Sequence, residues 1–281
     1  MTGVFAQLRI RGAGEEADSC VADNGFCPGW IGDHIGDYVH PFLQHLVLTV
    51  LTVAIGFAIS FTLALIAHKR RWLINPVTQV TGILYTIPSV AAFFLLLPIT
   101  GRGTDTALVA LVSYVLLIIF RNVLAGLDNV PDETKDAGRG MGLTDNQLLW
   151  RVEVPLALPE IMAGLRIATT TTVGLATLAF FAGAGGLGEK IFSDIAYKSN
   201  VVVAGGLAVL LAAVLDGLIL LTQRAITPWT RAVAQPRSCG RSRASNRVRA
   251  GLILAVGRQH KPAQGMDALG RILLRLPLRR W

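Results

Sequence analysis

Charged side chains are scarce in this sequence: only 16% of its 281 residues are Asp, Glu, Lys or Arg. Soluble domains average about 25% charged residues. The deficit comes with a hydrophobic content of 52% and a mean hydropathy of +0.54. This composition argues against an ordinary soluble domain and indicates a chain that folds in lipid.

The sequence also lacks the motifs by which most enzymes and metal sites are found. It has three cysteines with no CxxC, five dispersed histidines, and no HExxH or GxSxG pattern. The run 183–188 matches GxGxxG, but it follows an apolar segment instead of a strand, and Glu189 stands where a P-loop needs Lys. We therefore predict a protein that is not an enzyme and has no cofactor or metal, and interpret the glycine run as a tight turn.

The excess of positive charge lies at one end of the chain. Residues 1–230 hold 14 Lys and Arg against 17 Asp and Glu, whereas residues 231–281 hold 12 against one. The pI near 9.9 is therefore no sign of nucleic-acid binding, and nucleic acid is not an expected partner. Two interpretations of the basic 231–281 tail stay open: it lies on anionic membrane lipid, or it is a disordered, non-native segment without an evolved role.

Five apolar stretches are long enough to cross a bilayer, which takes roughly 20 residues per helix. They lie at about 42–67, 76–99, 104–125, 161–182 and 201–222. Each must be a helix, because a backbone polar group exposed to lipid has no water to bond. Pro88 predicts a kink in the second span, and Pro98 marks its outer end. The predicted fold class is an all-α membrane protein with five transmembrane helices.

Lys and Arg are shared unequally between the two sides of these spans. The side that contains the 68–75 loop, the 121–160 loop and the tail carries 20, against five on the other side. Positive residues prefer the cytoplasmic side. We predict an N-terminal segment, residues 1–41, outside the cell membrane, a transmembrane domain over 42–230 and a cytoplasmic C-terminus. On the outer, oxidising side Cys20 and Cys27 either pair or remain unpaired thiols.

The loop between the third and fourth spans carries the most informative pattern. Pro131, followed by two acids, is a typical helix start, and Gly142 is a typical helix stop. Thr144 begins a second helix, with Gln147 at the spacing of a capping box, and Pro155 is predicted to end it. The sequence thus predicts two short helices at a sharp angle, a shape suited to docking into a groove of a partner.

This loop resembles the EAA loop of ABC-importer permeases, in which Glu-Ala-Ala is followed at fixed spacing by Gly and by Ile-x-Leu-Pro. The residues at the matching positions are Asp136, Ala137, Gly138, Gly142, Val152, Val154 and Pro155. Asp replaces Glu, Gly replaces the second Ala, and Val replaces both Ile and Leu. Gly138 is expected to loosen the first helix by up to about 1 kcal/mol relative to Ala. The resemblance implies that this loop is the coupling region, seated in a cleft of the ATP-hydrolysing subunit.

Three more segments resemble the osmoprotectant permeases of this class: 85–89, 183–188 and 227–229. The resemblance covers roughly residues 42–230 and implies a passage for glycine betaine, choline, carnitine or proline. Permeases for methionine and other small nutrients share the five-span plan, so transport of methionine or another amino acid is the alternative. The implied partners are a separate ABC ATPase subunit, a substrate-binding protein and a second permease copy or paralogue, because five spans are too few to enclose a path alone.

Asp216 and Arg166 are charged residues inside predicted spans, and such residues are functional candidates by default. Asp216 lies about six residues from the cytoplasmic end of the fifth span, and Arg166 lies near the start of the fourth. The favoured interpretation of Asp216 is an ion pair with Arg166 or Arg224. Residues 169–172, all Thr, either face the passage or bond helix to helix.

Overall fold

The computed structural model describes residues 27–228, and every regular element in this range is helical. Cys27, at its beginning, is disulfide-bonded. Cys20 and the basic tail from residue 231 onward lie outside the described residues.

We number the α-helices of this range in chain order. They are α1 Pro28–His34, α2 Val39–Lys69, α3 Ile74–Thr86, α4 Ser89–Thr100, α5 Thr104–Asp128, α6 Asp132–Gly140, α7 Asp145–Leu148, α8 Val154–Ala176, α9 Leu187–Ser193 and α10 Lys198–Ile226. Short 3₁₀ segments cover Ile35–Tyr38, Arg71–Leu73 and Thr177–Ala182. A π-helical turn covers Leu149–Glu153.

Within residues 27–228, four continuous helical runs are long and apolar enough to cross a membrane: Pro28–Lys69, Thr104–Asp128, Asp145–Ala182 and Lys198–Ile226. They contain the first, third, fourth and fifth predicted spans and extend beyond the predicted ends, because polar end residues still continue a helix. The predicted second span differs. Its two halves, α3 and α4, are bent by 98° and make a fifth crossing only when taken together.

Pro88 explains the position of this break. A proline disfavours helical backbone at the residue before it, and Ile87 is extended, with ψ of 128°. The Tyr114 hydroxyl on α5 donates to the Ile87 carbonyl, which satisfies a backbone group that the break would otherwise leave without a helical partner. Pro98 lies in the last turn of α4, which ends at Thr100. The segment of the predicted second span is therefore broken at its middle, a stronger distortion than the predicted kink.

The prediction that Pro155 ends the second short helix of the loop is wrong. Pro155 is the second residue of α8 and follows the π-helical turn Leu149–Glu153, the kind of local adjustment by which a continuous membrane helix accommodates a proline. Helix α7, the π-helical turn and α8 follow one another without interruption. The loop is therefore continuous with the fourth transmembrane span.

Helix α5 lies at the centre of the bundle and packs against α2, α3, α4 and α8. Its contact with α8 is close because α8 carries a glycine there: a Cβ added at Gly164 would lie 2.4 Å from the Asn122 Cβ. Helix α10 packs mainly on α8 and exposes large apolar side chains such as Val209 and Leu221. An apolar outer surface of this kind is what a helix in lipid, or against another membrane subunit, requires.

Contacts between loops define the two ends of the bundle. At one end the Lys69 Nζ donates to the Asn146 Oδ1 across 2.6 Å, which joins the first loop to the loop after α5. At the other end the Gly186 N–H donates to the Gln44 Oε1 across 3.2 Å, within a turn where Gly186 has a φ of +83°. The loops grouped on one side by their Lys and Arg content thus lie at one end of the bundle.

Candidate coupling site

We define the coupling element as residues 131–155. Its first helix, α6, begins after Pro131 with Asp132 and Glu133 in the first turn, as predicted. Acidic side chains there stabilise the positive end of the helix dipole. Gly142 follows α6 with a φ of +83°, a backbone conformation that glycine adopts without the steric cost paid by other residues.

The second short helix, α7, begins with the predicted capping box. The Gln147 N–H donates to the Thr144 Oγ1 at 3.4 Å, and the Thr144 N–H donates to the Gln147 Oε1 at 3.1 Å. Both helix starts and the turn between them are therefore encoded locally.

The outer side of the coupling element is exposed. Asp136 and Ala137 on α6 and Gly142 in the turn are all accessible, and Asp136 forms an ion pair with Arg139 at 3.3 Å. Met141 sits in this turn with 75% of its surface exposed. An exposed methionine on an otherwise polar turn provides a soft apolar contact for a partner.

The inner side is buried and holds the two short helices together. A Cβ added at Gly138 would lie 2.6 Å from the Leu148 Cδ1. Glycine at the position of the second Ala thus leaves room for the Leu148 side chain against α6, a packing role that the predicted loosening of the helix did not include. Val152, Val154 and Pro155 are partly buried along the segment that leads into α8.

A polar cluster, buried at His68 and Glu153 and exposed at Asp128 and Arg71, lies where the coupling element meets the bundle. The His68 Nε2, at the end of α2, lies 2.8 Å from the Glu153 Oε2, and the His68 Nδ1 lies 3.6 Å from the Asp128 Oδ1. The Arg71 Nη2 lies 3.3 Å from the same Asp128 oxygen. The cluster joins the ends of α2 and α5 to the π-helical turn.

Sequence reasoning missed this cluster. Glu153 occupies the variable position of Ile-x-Leu-Pro, and His68 lies 85 residues away in the chain. The available signal was that the first loop and the 121–160 loop share a predicted side. That signal predicts that the loops lie at the same end of the bundle, but it does not predict which of their side chains are in contact.

A cleft of about 670 Å³ opens beside this cluster, between the end of α2 and the coupling element. Its walls include Lys69, Arg139, Asp145 and Asn146. Both signs of charge are present, so the cleft favours a polar or zwitterionic surface over a strongly anionic or cationic one.

The two intramembrane charges form a pair. The Arg166 Nε and Nη2 donate to the two Asp216 carboxylate oxygens, each across 2.7 Å. This bidentate geometry is the strongest form of an Arg–carboxylate contact. The hydroxyls of Thr169 and Thr172 donate to carbonyls of their own helix, at 2.8 and 2.7 Å. Their hydroxyl protons are therefore bonded within α8.

Comparison with known proteins shows the family to which this chain belongs. Residues 56–228, from within α2 to the end of the described range, match the family of binding-protein-dependent transport system inner membrane components. The chain belongs to this family. The predicted membership of the ABC-importer permeases is confirmed, and the chain is a membrane permease component of an ABC importer that works with a binding protein.

Relatives of known function are similar to this permease over almost their whole length. It is 37% identical over 203 residues to the osmoprotectant import permease protein OsmW of Salmonella typhimurium, covering 70% of this chain and 94% of that protein. It is 33% identical over 195 residues to the glycine betaine/carnitine/choline transport system permease protein OpuCB of Bacillus subtilis, covering 69% and 90%.

Solved structures share the architecture. A chain of the inward-facing MetNI methionine ABC transporter superposes with a TM-score of 0.59 at 26% identity, covering 70% of this chain and 96% of that chain. A chain of an amino acid ABC transporter solved with histidines gives a TM-score of 0.57 at 16% identity, a likeness of fold alone. The helical membrane fold of an importer permease is thus shared with both.

Proposed function

We propose that this permease forms the translocation path of an importer for a small osmoprotectant such as glycine betaine, choline, carnitine or proline. The observation that carries the proposal is identity of 37% and 33% to two osmoprotectant permeases across nearly their full lengths. The alternative, import of methionine or another amino acid, has weaker support, because the methionine transporter chain is 26% identical.

The coupling element is the proposed contact with a separate ATPase subunit on the cytoplasmic side. Its exposed side, with Asp136, Ala137, Met141 and Gly142, is shaped as a bent pair of short helices that fits a groove. Its inner side leads without interruption through Val152, Val154 and Pro155 into α8. Closure of two ATPase subunits would thereby switch the bundle between two states with different access.

The proposed assembly contains two permease subunits, as a homodimer or with a paralogue, together with two ATPase subunits and an outer substrate-binding protein. Exposed apolar residues along α10, such as Val209 and Leu221, supply surface for a second subunit and for membrane lipid. ATP hydrolysis belongs to the partner subunit in this proposal, and this chain supplies the path.

Uptake by the reconstituted complex tests the substrate. Permease and ATPase are placed in liposomes with ATP on the ATPase side and binding protein on the other, and uptake of radiolabelled glycine betaine and choline is measured. We expect ATP-dependent uptake that excess unlabelled osmoprotectant abolishes and excess methionine leaves unchanged. Uptake of methionine, with none of either osmoprotectant, would favour the alternative and reject the proposed substrate.

A further inference from the structure

We propose that His68 is a positioning residue that fastens the coupling element to the first transmembrane helix by holding Glu153. This inference rests on the proposed function of residues 131–155 as the element that contacts the ATPase. It assigns a role to two residues outside the positions that resemble the EAA pattern.

The contact is short and sheltered. The His68 Nε2 and the Glu153 Oε2 are 2.8 Å apart, and the two side chains are 11% and 9% exposed. The neighbouring pair is looser: Asp128 and Arg71 are 37% and 65% exposed. Water therefore competes least for the bond between His68 and Glu153.

Burial makes the Glu153 carboxylate depend on His68. A carboxylate removed from water needs a hydrogen-bonding or charged partner, and His68 supplies the contact for Glu153 within the part of the chain that the structure describes. Separation of the two residues would leave the carboxylate buried without that partner. The turn that carries Glu153 is thus tied in position to the end of α2.

The backbone around Glu153 supports the same role. Glu153 is the last residue of the π-helical turn that joins α7 to α8. A π-helical turn shifts the phase of the side chains that follow it, and such turns are frequent at functional sites. Leu149, at the start of the turn, packs into a buried cluster with Ala67 of α2 and Leu127 of α5.

Two mechanical routes therefore lead from Glu153, the last residue of the π-helical turn, into the bundle. One runs directly along the helical chain into α8. The other crosses from Glu153 to His68 and reaches α2, with Asp128 of α5 beside it. Apolar packing at Leu149 allows sliding, whereas a hydrogen bond fixes direction and distance. Loss of the bond weakens the transfer of motion from the coupling element to α2, so that ATP is hydrolysed with less import.

The test measures the ratio of ATP hydrolysed to glycine betaine imported by the reconstituted complex. The variants are His68→Ala, Glu153→Ala, the double variant and His68→Gln. We expect the ratio to rise about fivefold or more in each Ala variant, the low end of coupling between sites. The ratio in the double variant should be no higher than in either single variant, because each single variant already removes the same interaction. His68→Gln should stay near the wild type, because its amide can donate to the carboxylate in place of Nε2.

His40→Ala is the matched control, since it removes an exposed imidazole near the opposite end of the same helix and should leave the ratio unchanged. If the Ala variants keep the wild-type ratio and only yield less assembled complex, the contact between His68 and Glu153 has a purely structural role and the inference is overturned. It is also overturned if His68→Gln behaves like His68→Ala. A wild-type complex that fails to assemble with the ATPase or to import betaine would count against the proposed function instead, before any variant is compared.

Discussion

Arg166 on α8 and Asp216 on α10 form a bidentate ion pair within the transmembrane bundle, with both N–O distances at 2.7 Å. Helix α10 packs mainly on α8, and the pair gives this contact a fixed register. Two charges that would each be costly in lipid satisfy one another, which supports the interpretation of Asp216 as a structural partner of Arg166.

Removal of one member should therefore be worse than removal of both. Asp216→Ala leaves the Arg166 guanidinium without its carboxylate, and we expect a loss of about 2 kcal/mol. This is less than for a fully buried pair, because the side chains are 33% and 29% exposed. The midpoint of thermal unfolding in detergent measures the loss. A double variant with Leu at both positions should unfold at a higher temperature than the single variant, and equal midpoints would contradict this account.

Gly142 tests the turn of the coupling element. No atom lies within 4 Å of a Cβ added there, but the φ of +83° disfavours other residues. A left-handed conformation costs an L-residue about 1–2 kcal/mol, least for Asn. Gly142→Val should therefore lower ATPase binding and coupled hydrolysis, whereas Gly142→Asn should retain most of both.

Gly140→Ala is the control for this turn, because Gly140 ends α6 in open space and its φ is not positive. Co-purification with the ATPase and hydrolysis stimulated by loaded binding protein are the measurements. If the Val and Asn variants behave alike, the backbone conformation is not what the position requires.

Met141 tests the exposed side of the element. Its side chain is 75% exposed, so a substitution there disturbs little within this chain. Met141→Asp would bring a charge into the proposed apolar contact, and we expect ATPase binding to weaken about tenfold, as at a moderate interface hot spot. Met141→Leu keeps the apolar area and should bind nearly as the wild type. Unchanged binding of the Asp variant, measured by titration of the purified subunits, would remove this turn from the interface.

Local signals explain why much of the coupling element was predictable. The start at Pro131, the stop at Gly142 and the cap at Thr144 each depend on residues within one turn. The hydropathy of a span is likewise a property of consecutive residues. Features set by residues within one turn or one span can be predicted from the sequence, because they do not depend on contacts between distant segments.

Other features depend on contacts between distant segments. A proline restricts the backbone in the same local way at positions 88 and 155, yet the first breaks a span by 98° and the second lies inside a continuous helical run. The difference comes from the surroundings: the Tyr114 hydroxyl of α5 donates to the carbonyl exposed by the break at Ile87, whereas Pro155 follows a π-helical turn that accommodates it within the helix. The bond from His68 to Glu153 is equally invisible in sequence, because 85 residues separate its members.

The close approach of α5 and α8 gives the sharpest test of the bundle itself. A Cβ at Gly164 would lie 2.4 Å from the Asn122 Cβ, well inside contact distance, so one helix must shift to admit even Ala. We expect Gly164→Ala to destabilise the permease by about 1–3 kcal/mol, the usual effect of overpacking. Gly174→Ala on the same helix is the matched control, since nothing lies within 4 Å of its added Cβ and the change should be neutral or slightly stabilising. Thermal unfolding in detergent compares them, and equal midpoints for the two variants would show that α5 and α8 are not packed as tightly as the structure places them.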